Sequence, residues 1–147
     1  MISPKVSVLT TTYNRPDFLL RCLASMQVQT DPDWEHLIID DGSTDKKVKE
    51  ILENVITSDK RIKVYFKPDN LDLPAARWNE LIDLAYGKYI CFLDDDNEKL
   101  PNFISKMSAS LEFNPGIDFV SCGMIIVNKG VKTEHHLNLF TTPEKLK

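Results

Sequence analysis

Several features that mark other classes of protein are scarce in this sequence. Only 3 of its 147 residues are cysteines, and Cys22, Cys91 and Cys122 each lie within an apolar run. An odd number of cysteines in such positions favours buried, reduced thiols over a disulfide framework, which indicates the cytosol. Basic residues are also few: 18 lysines and arginines stand against 22 aspartates and glutamates, a net charge of −4. We therefore expect no nucleic-acid partner.

Long apolar segments are missing as well. No stretch approaches the length of about 18 apolar residues that indicates a transmembrane helix. The N-terminal segment MISPKVSVLTTTYNR lacks the long apolar core of a signal peptide. With 42% hydrophobic and 27% charged residues, the composition is that of a soluble globular protein, and the length fits one domain. These features predict a cytoplasmic protein without a transmembrane segment.

Two hydrophobic periodicities alternate along the chain. Strand-like runs occur in KVSVLTTTYNR, EHLIIDDGSTD, RIKVYF, YICFL and IDFVSCGMIIVNKGVK. Helical spacing occurs in PDFLLRCLASMQVQT, KKVKEILENVI and PAARWNELIDLAY, and from Pro101 to about Glu112. This order predicts one α/β domain over residues 1–147, a doubly wound, mostly parallel sheet flanked by helices. YICFL is apolar throughout, which predicts a strand covered on both faces. A turn at Asn128 to Gly130 suggests a terminal hairpin.

Polar clusters follow three of the predicted strands. They are TTYNR ending at Arg15, DDGSTD (Asp40 to Asp45) and DDDN (Asp94 to Asn97). Ligands of open parallel sheets bind beyond the carboxyl ends of the strands, so these clusters are expected to meet at one edge and form a pocket.

The three consecutive aspartates are the sharpest local signal. In an extended chain Asp94 and Asp96 point to one side and Asp95 to the other. Two converging carboxylates suit Mg²⁺ or Mn²⁺, with water and phosphate oxygens completing the shell. The alternative is an acidic loop that simply faces solvent.

Other candidates in the clusters also have two interpretations. In DDGSTD, Ser43 or Thr44 is expected to cap the following helix, whereas a carboxylate there would accept hydrogen bonds from a base or ribose. Tyr13 is either an ordinary loop residue or a ring that stacks on a planar base. Arg77 is either a solvated surface charge or a bidentate phosphate ligand.

Trp34 and Trp78 are favoured as packing residues over a sugar-binding platform.

The ordered set of motifs resembles the N-terminal half of family 2 glycosyltransferases, which have the GT-A fold. The matching segments are VSVLTTTYNRPDFLLRCLASMQVQT, WEHLIIDDGSTD and ARWNELIDLAYGKYICFLDDDN, in the family's order from Val6 to Asn97. Each motif alone is common, and the ordered set is specific. The resemblance implies a nucleotide-sugar-binding portion, truncated so that the acceptor-binding half is absent.

The resemblance also implies a role for individual residues of the nucleotide site. Tyr13 would stack on the nucleobase, with Thr11 beside it. Asp41, the second acid of DDGS, would bond the base edge, usually of uracil. Arg77 lies near the family's arginine in this region, but ARWN has a tryptophan that the commoner ARN lacks, so this match is loose.

For the aspartates, the resemblance implies a DXD-type motif. Asp96 would bind Mn²⁺ or Mg²⁺ bridging the diphosphate, and Asp94 or Asp95 would contact the ribose or assist the metal. The cation would stabilise the negative charge that develops on the leaving nucleoside diphosphate.

The implied activity is inverting transfer of a sugar from a nucleotide-sugar, most often a UDP-sugar, to a glycan or lipid-linked acceptor. This suggests polysaccharide biosynthesis, with possible peripheral association at the inner membrane face. Inversion requires a general base, and neither Glu134 nor Glu144 has surroundings that match the family's base. We expect a donor site without a recognisable catalytic base, and possible homo-oligomerisation through exposed apolar surface.

Two alternatives come from other classes. A receiver-like or phosphoryl-transfer α/β domain would need an acid pair on the first strand, which instead ends in TTYNR. A catalytically inactive nucleotide-binding or scaffold module would keep the fold without turnover.

Overall fold

The structure is a computed structural model that describes residues 3–128 and 131–135. Strands and helices alternate as the periodicities predict. The elements are β1 (Val6–Thr12), α1 (Pro16–Gln27), β2 (Trp34–Asp40), α2 (Lys46–Ser58), β3 (Ile62–Phe66), α3 (Pro74–Leu84), β4 (Tyr89–Phe92), α4 (Phe103–Phe113), β5 (Met124–Asn128) and β6 (Val131–His135).

Four strands form a parallel sheet in the order β3-β2-β1-β4. The predicted mostly parallel sheet flanked by helices is therefore confirmed. The strand after α4 does not join this sheet, because β5 pairs antiparallel with β6. Strands joined by two residues pair locally, whereas a parallel strand needs a long crossover connection. The hairpin is thus confirmed, and residues 129 and 130 of its predicted turn lie outside the described residues.

Helices cover both faces of the parallel sheet, because the side chains of its strands alternate. On β1 and β2, Val6, Val8 and Ile38 face one apolar cluster, while Leu9 and Leu37 face the other. Buried side chains of α1 and α2 complete the first cluster: Leu19, Cys22, Leu23, Met26, Val48, Leu52 and Val55. Leu81 of α3 is buried in the second cluster. This arrangement fixes β1 as an inner strand whose carboxyl end is flanked by two neighbours.

The edge strand β4 is not covered on both faces, so that prediction was wrong. Ile90 is 43% exposed and Phe92 is 53% exposed. The face of β4 that carries these residues receives partial cover from Trp78, whose ring meets that of Phe92 edge-on with 5.1 Å between centroids. An unbroken apolar run therefore does not show that a strand is central.

The chain divides into two compact units between Ser108 and Ala109. The first unit contains the parallel sheet, and the second contains the β5–β6 hairpin. In the described part of the chain, no helix combines the length and the hydropathy needed to span a membrane.

The three cysteines differ in exposure, and none forms a disulfide. Cys22 is buried as predicted, and burial raises the pKa of its thiol to about 12. Cys91 is half-buried and Cys122 is exposed, so the expectation of burial was wrong for Cys122. Its apolar run is the segment before the exposed hairpin strand β5 rather than a core strand.

Candidate functional site

A pocket opens at the carboxyl ends of β1 and β4, where the strand order reverses. From β1 the chain continues to β2 and β3 on one side, and β4 then pairs with the other side of β1. Loops that leave such a point diverge and produce a crevice. The volume of this pocket is about 410 Å³. It is lined by Thr11, Thr12, Tyr13, Arg15, Asp41, Asn70, Asp72, Pro74, Trp78, Asp94, Asp95 and Asp96.

The loop after β1 presents the ring of Tyr13 to this pocket and is held by Asn14. Tyr13 is 41% exposed, which leaves part of its ring available to a ligand. Asn14 has a left-handed backbone, with φ of 53°, a conformation that asparagine tolerates better than most residues. Its Oδ1 atom accepts hydrogen bonds from the backbone N–H groups of Thr44 (2.8 Å) and Asp45 (2.9 Å). The loop after β1 is thereby fixed to the loop after β2.

Asp41 stands at the end of β2, on the same pocket, and is 7% exposed. Its Oδ1 atom accepts a hydrogen bond of 2.5 Å from Nε of Arg77. Its Oδ2 atom lies 3.2 Å from the backbone nitrogen of Leu71, which donates to it. A buried carboxylate requires such partners. The carboxylate of Asp41 is therefore held in one orientation from behind.

Gly42 allows the loop after β2 to pass close to the segment before α3. Its φ is +76°, and a Cβ at this position would lie 2.6 Å from the carbonyl carbon of Asp69. Only glycine combines that backbone conformation with so little space. The DDG sequence therefore places Asp41 against the loop that carries Asn70 and Asp72.

Arg77 does not extend into solvent as a surface charge. It is 7% exposed, and its guanidinium donates to Asp41, to Glu80 at 2.6 Å and to the carbonyl of Asp69 at 3.1 Å. The interpretation of Arg77 as a solvated surface residue was therefore wrong. Its nucleotide-binding role stays a prediction, because the structure shows contacts to protein groups behind the pocket.

The three aspartates differ in environment. Asp95 is 4% exposed and accepts hydrogen bonds from Thr12 Oγ1 (2.8 Å) and Arg15 Nη1 (2.9 Å). Asp94 and Asp96 are exposed, as expected if alternate residues point to opposite sides. Asp96 accepts a hydrogen bond of 2.7 Å from Nη2 of Arg15. One arginine thus bridges two adjacent carboxylates.

The charges within the aspartate triplet act on one another. Burial raises the pKa of the Asp95 carboxyl, although the hydrogen bond from Thr12 and the charge of Arg15 act in the opposite direction. The hydrogen bond to Asp96 raises the pKa of the Arg15 guanidinium. Arg15 therefore remains charged and offsets part of the repulsion among the three carboxylates.

The triplet suits a hard divalent cation that brings most of its own ligands. Asp94 and Asp96 offer exposed carboxylates at the pocket wall. Within residues 3–128 and 131–135, no three His, Cys, Asp or Glu side chains are arranged to hold a metal by themselves. Magnesium takes one or two carboxylates and completes its shell with water and phosphate oxygens. The residues present therefore fit a cation that is bound together with a diphosphate.

Six of the seven predicted site residues line this one pocket; they are Thr11, Tyr13, Asp41, Asp94, Asp95 and Asp96. The seventh, Arg77, bonds one of them from behind. Their individual roles in binding stay predictions.

The structure adds residues to the predicted site. Arg15, Asn70, Asp72 and Trp78 line the pocket. Arg15 was visible as the last residue of TTYNR, but its partners are 80 and 81 residues away. Trp78 was expected to pack, and it both packs on Phe92 and lines the pocket. Trp34, in contrast, is a packing residue as predicted, 2% exposed beneath the guanidinium of Arg61.

Known glycosyltransferases are similar to this chain in sequence. The sequence profile of glycosyl transferase family 2 matches residues 7–147. An uncharacterized glycosyltransferase of Haemophilus influenzae is 40% identical over 111 residues, which are 73% of this chain and 44% of the relative. A Campylobacter jejuni protein, GalNAc(5)-diNAcBac-PP-undecaprenol beta-1,3-glucosyltransferase, is 35% identical over 71% of this chain and 33% of its own length.

A solved structure shares the fold. The crystal structure of S. aureus TarS 1–349 in complex with UDP-GlcNAc superimposes with a TM-score of 0.71 at 26% identity, covering 76% of this chain and 32% of the TarS 1–349 chain. This chain thus spans less than half the length of each protein named here. The match to the family profile excludes the receiver-like alternative, and the chain belongs to glycosyl transferase family 2, with a GT-A fold.

Proposed function

We propose that this chain is the donor-binding portion of a glycosyltransferase that uses a UDP-sugar and a divalent cation. One observation carries the proposal: a single pocket at the switch point of the sheet combines an exposed aromatic ring, an oriented carboxylate and an acidic triplet. A nucleoside diphosphate needs these three elements, because it has a planar base, hydrogen-bonding base edges and a charged diphosphate.

Tyr13 and Asp41 are the proposed base-binding pair. Part of the Tyr13 ring is exposed at the pocket, so a base can stack on it. Asp41 is held by Arg77 and by the Leu71 backbone, so its carboxylate can accept a hydrogen bond from an N–H group of the base without having to reorganise. The N3–H group of uracil is such a donor. Support for uracil comes from TarS, whose structure contains UDP-GlcNAc.

Asp96 and Asp94 are the proposed residues that hold Mn²⁺ or Mg²⁺ beside the diphosphate. Both are exposed at the pocket, and two carboxylates match the usual share of protein ligands at such a cation. The cation supplies positive charge where the leaving diphosphate gains negative charge. Asp95 is already engaged by Thr12 and Arg15, so we assign it to fixing the loop and to contacts with the ribose.

The acceptor and the stereochemistry are the remaining parts of the proposal. The Campylobacter jejuni relative is named for an undecaprenol-linked substrate, which supports a glycan or lipid-linked acceptor and a cytoplasmic protein that works at a membrane surface. We propose that transfer inverts the anomeric centre. This requires a general base opposite the leaving group, and we assign that base to none of the described residues.

Calorimetric titration of UDP into the purified chain tests the donor site. We expect binding in the presence of Mn²⁺ and much weaker binding without it. Asp96→Ala should remove the dependence on Mn²⁺. Asp83→Ala, which changes an exposed carboxylate on α3 outside the pocket lining, should bind like the unmodified chain. Absence of binding to UDP, GDP and dTDP in both conditions would refute the donor site.

A further inference from the structure

Arg15 occupies the position among the aspartates where a cation is needed. Its two terminal nitrogens bond different carboxylates, Nη1 to Asp95 at 2.9 Å and Nη2 to Asp96 at 2.7 Å. Each is a charge-assisted hydrogen bond, which is stronger than one between neutral groups. Since the side chain of Arg15 is 42% exposed, it is anchored by these bonds and not enclosed by the core.

The backbone around Arg15 directs its side chain to the triplet. Asn14 is fixed to the loop after β2, and Pro16 begins α1 directly after Arg15. Arg15 is therefore the N-cap residue of α1, and it makes no side-chain capping bond. Its guanidinium lies over the ring of Phe18, 4.8 Å from the centroid. The fold thus carries the charge to the triplet on a side chain that stays 42% exposed.

The two carboxylates that Arg15 bonds differ in how available they are to a cation. Asp95 is held at Oδ2 by Thr12 as well as at Oδ1 by Arg15, so it stays in place if Arg15 departs. Asp96 is exposed and is the carboxylate that the proposed donor site assigns to the metal. The guanidinium on its Oδ2 atom and a divalent cation would repel each other at that distance.

We propose that Arg15 is the internal counter-cation of the aspartate triplet and competes with the divalent cation for Asp96. In the protein without metal, Arg15 offsets part of the negative charge of the triplet and keeps the loop after β4 ordered. When the cation binds, Arg15 must release Asp96. The proposal rests on the donor site described above, and it predicts that the metal alone binds weakly. The alternative is a positioning role, in which Arg15 would orient Asp96 and help the metal to bind. Removal of Arg15 would then weaken the binding of the metal, whereas competition predicts that it strengthens the binding.

The test is the affinity of the chain for Mn²⁺ without nucleotide, measured from the electron paramagnetic resonance signal of the free ion at low ionic strength. Arg15→Gln removes the charge, and we expect about three- to tenfold tighter Mn²⁺ binding, in line with the loss of one nearby charge in a solvent-exposed site. Arg15→Lys keeps the charge and should bind Mn²⁺ with nearly the affinity of the unmodified chain. An unchanged or weaker affinity in Arg15→Gln overturns the proposal.

Arg21→Gln is the matched control. Arg21 also lies over the Phe18 ring, at 5.1 Å, but its ion pair is with the exposed Glu98 at 3.6 Å. Its removal should leave Mn²⁺ affinity unchanged, and a gain equal to that of Arg15→Gln would show a general charge effect and overturn the proposal. In an Asp96→Asn background the gain from Arg15→Gln should vanish, as in a double-mutant cycle of two coupled residues.

Failure of the competition and failure of the donor site give different results. If Arg15→Gln, Arg15→Lys and the unmodified chain bind Mn²⁺ equally while Asp96→Asn binds it more weakly, the donor site stands and the role of Arg15 is refuted. If none binds Mn²⁺, the competition is refuted together with the metal part of the proposed function. Titration of UDP without metal then tests the base-binding part separately.

Discussion

The guanidinium of Arg77 holds the carboxylate of Asp41 from inside the fold, with Nε 2.5 Å from Oδ1, although 36 residues separate them in sequence. Both residues are 7% exposed. The pair therefore joins α3 to the end of β2 and sets the direction in which Asp41 faces the pocket. We interpret Arg77 as a positioning residue for Asp41.

Removal of the charge of Arg77 should destabilise the chain. Arg77→Met leaves the buried carboxylate of Asp41 without its cation, and we expect a loss of about 3–5 kcal/mol in the free energy of unfolding. Urea denaturation followed by circular dichroism measures this loss. The double variant Arg77→Met/Asp41→Asn should recover a large part of it, because no unpaired charge remains. Equal losses in the single and double variants would contradict the interpretation.

The stacking role of Tyr13 can be separated from its hydroxyl group. Tyr13→Phe retains the ring and should change UDP affinity by about twofold or less. Tyr13→Ala removes the ring and should weaken binding by about 1–3 kcal/mol, the range for base–aromatic stacking. Because Tyr13 is 41% exposed, neither change should shift the free energy of unfolding by more than about 0.5 kcal/mol. Equal affinities for the two variants would refute stacking.

The clamp formed by Asn14 should support both the fold and the pocket. Asn14→Gly keeps a residue that accepts the φ of 53° but loses the hydrogen bonds to the backbone of Thr44 and Asp45. We expect a loss of about 1–3 kcal/mol in unfolding free energy and weaker binding of UDP, because Tyr13 and Asp41 lie on the two loops that the clamp joins. A variant with full UDP affinity would show that the clamp does not align the site.

The buried His36 should make stability depend on pH. The hydroxyl of Thr10 donates to the carbonyl of Leu93 (2.7 Å), so its oxygen accepts from Nε2 of His36 (2.8 Å). The Nδ1 atom has no partner among the described residues. Burial lowers the pKa of His36 from 6.5 to about 3. The imidazole is therefore neutral in the folded chain.

The sign of this effect follows from proton linkage. Between the folded pKa of about 3 and the ordinary value of 6.5, the unfolded chain binds more protons than the folded chain. Stability from His36 is complete above pH 6.5 and falls as the pH decreases toward 3. We expect a loss of about 2 kcal/mol between pH 7 and pH 5, and His36→Gln, whose amide can still donate to Thr10, should remove that part of the slope. Urea titrations at pH 7, 6 and 5 give the free energy of unfolding at each pH. If this free energy changes equally with pH in the unmodified chain and in His36→Gln, the assignment to His36 is contradicted.

Much of the fold was predictable because it rests on local patterns. Helical spacing located α1 and α2, and the polar ends of three strands indicated one pocket. Burial across the edge of the sheet was not predictable, because the apolar run of β4 contains no information on how many strands lie beside it. In the structure β4 lies at the edge of the sheet, and Ile90 and Phe92 are exposed.

The details of the site depended on contacts between distant segments. Either Ser43 or Thr44 was expected to cap α2, but Asp45 is the N-cap and accepts a hydrogen bond from the backbone N–H of Lys47. The hydroxyl of Ser43 instead accepts from the backbone of Asn14, and Thr44 also bonds to Asn14. Because Asn14 of the loop after β1 bonds both hydroxyl groups, neither caps α2. The same reasoning applies to Arg15, whose acidic partners follow a different strand.

The most direct measurement is a crystal structure of the chain grown with UDP and Mn²⁺, with diffraction data collected at the manganese absorption edge. We expect one anomalous peak at the aspartate triplet, within about 2.0–2.3 Å of an oxygen of Asp96, and a uracil ring stacked on Tyr13. We also expect that Arg15 no longer bonds Asp96. A manganese peak elsewhere, or UDP bound outside this pocket, would refute the proposed donor site.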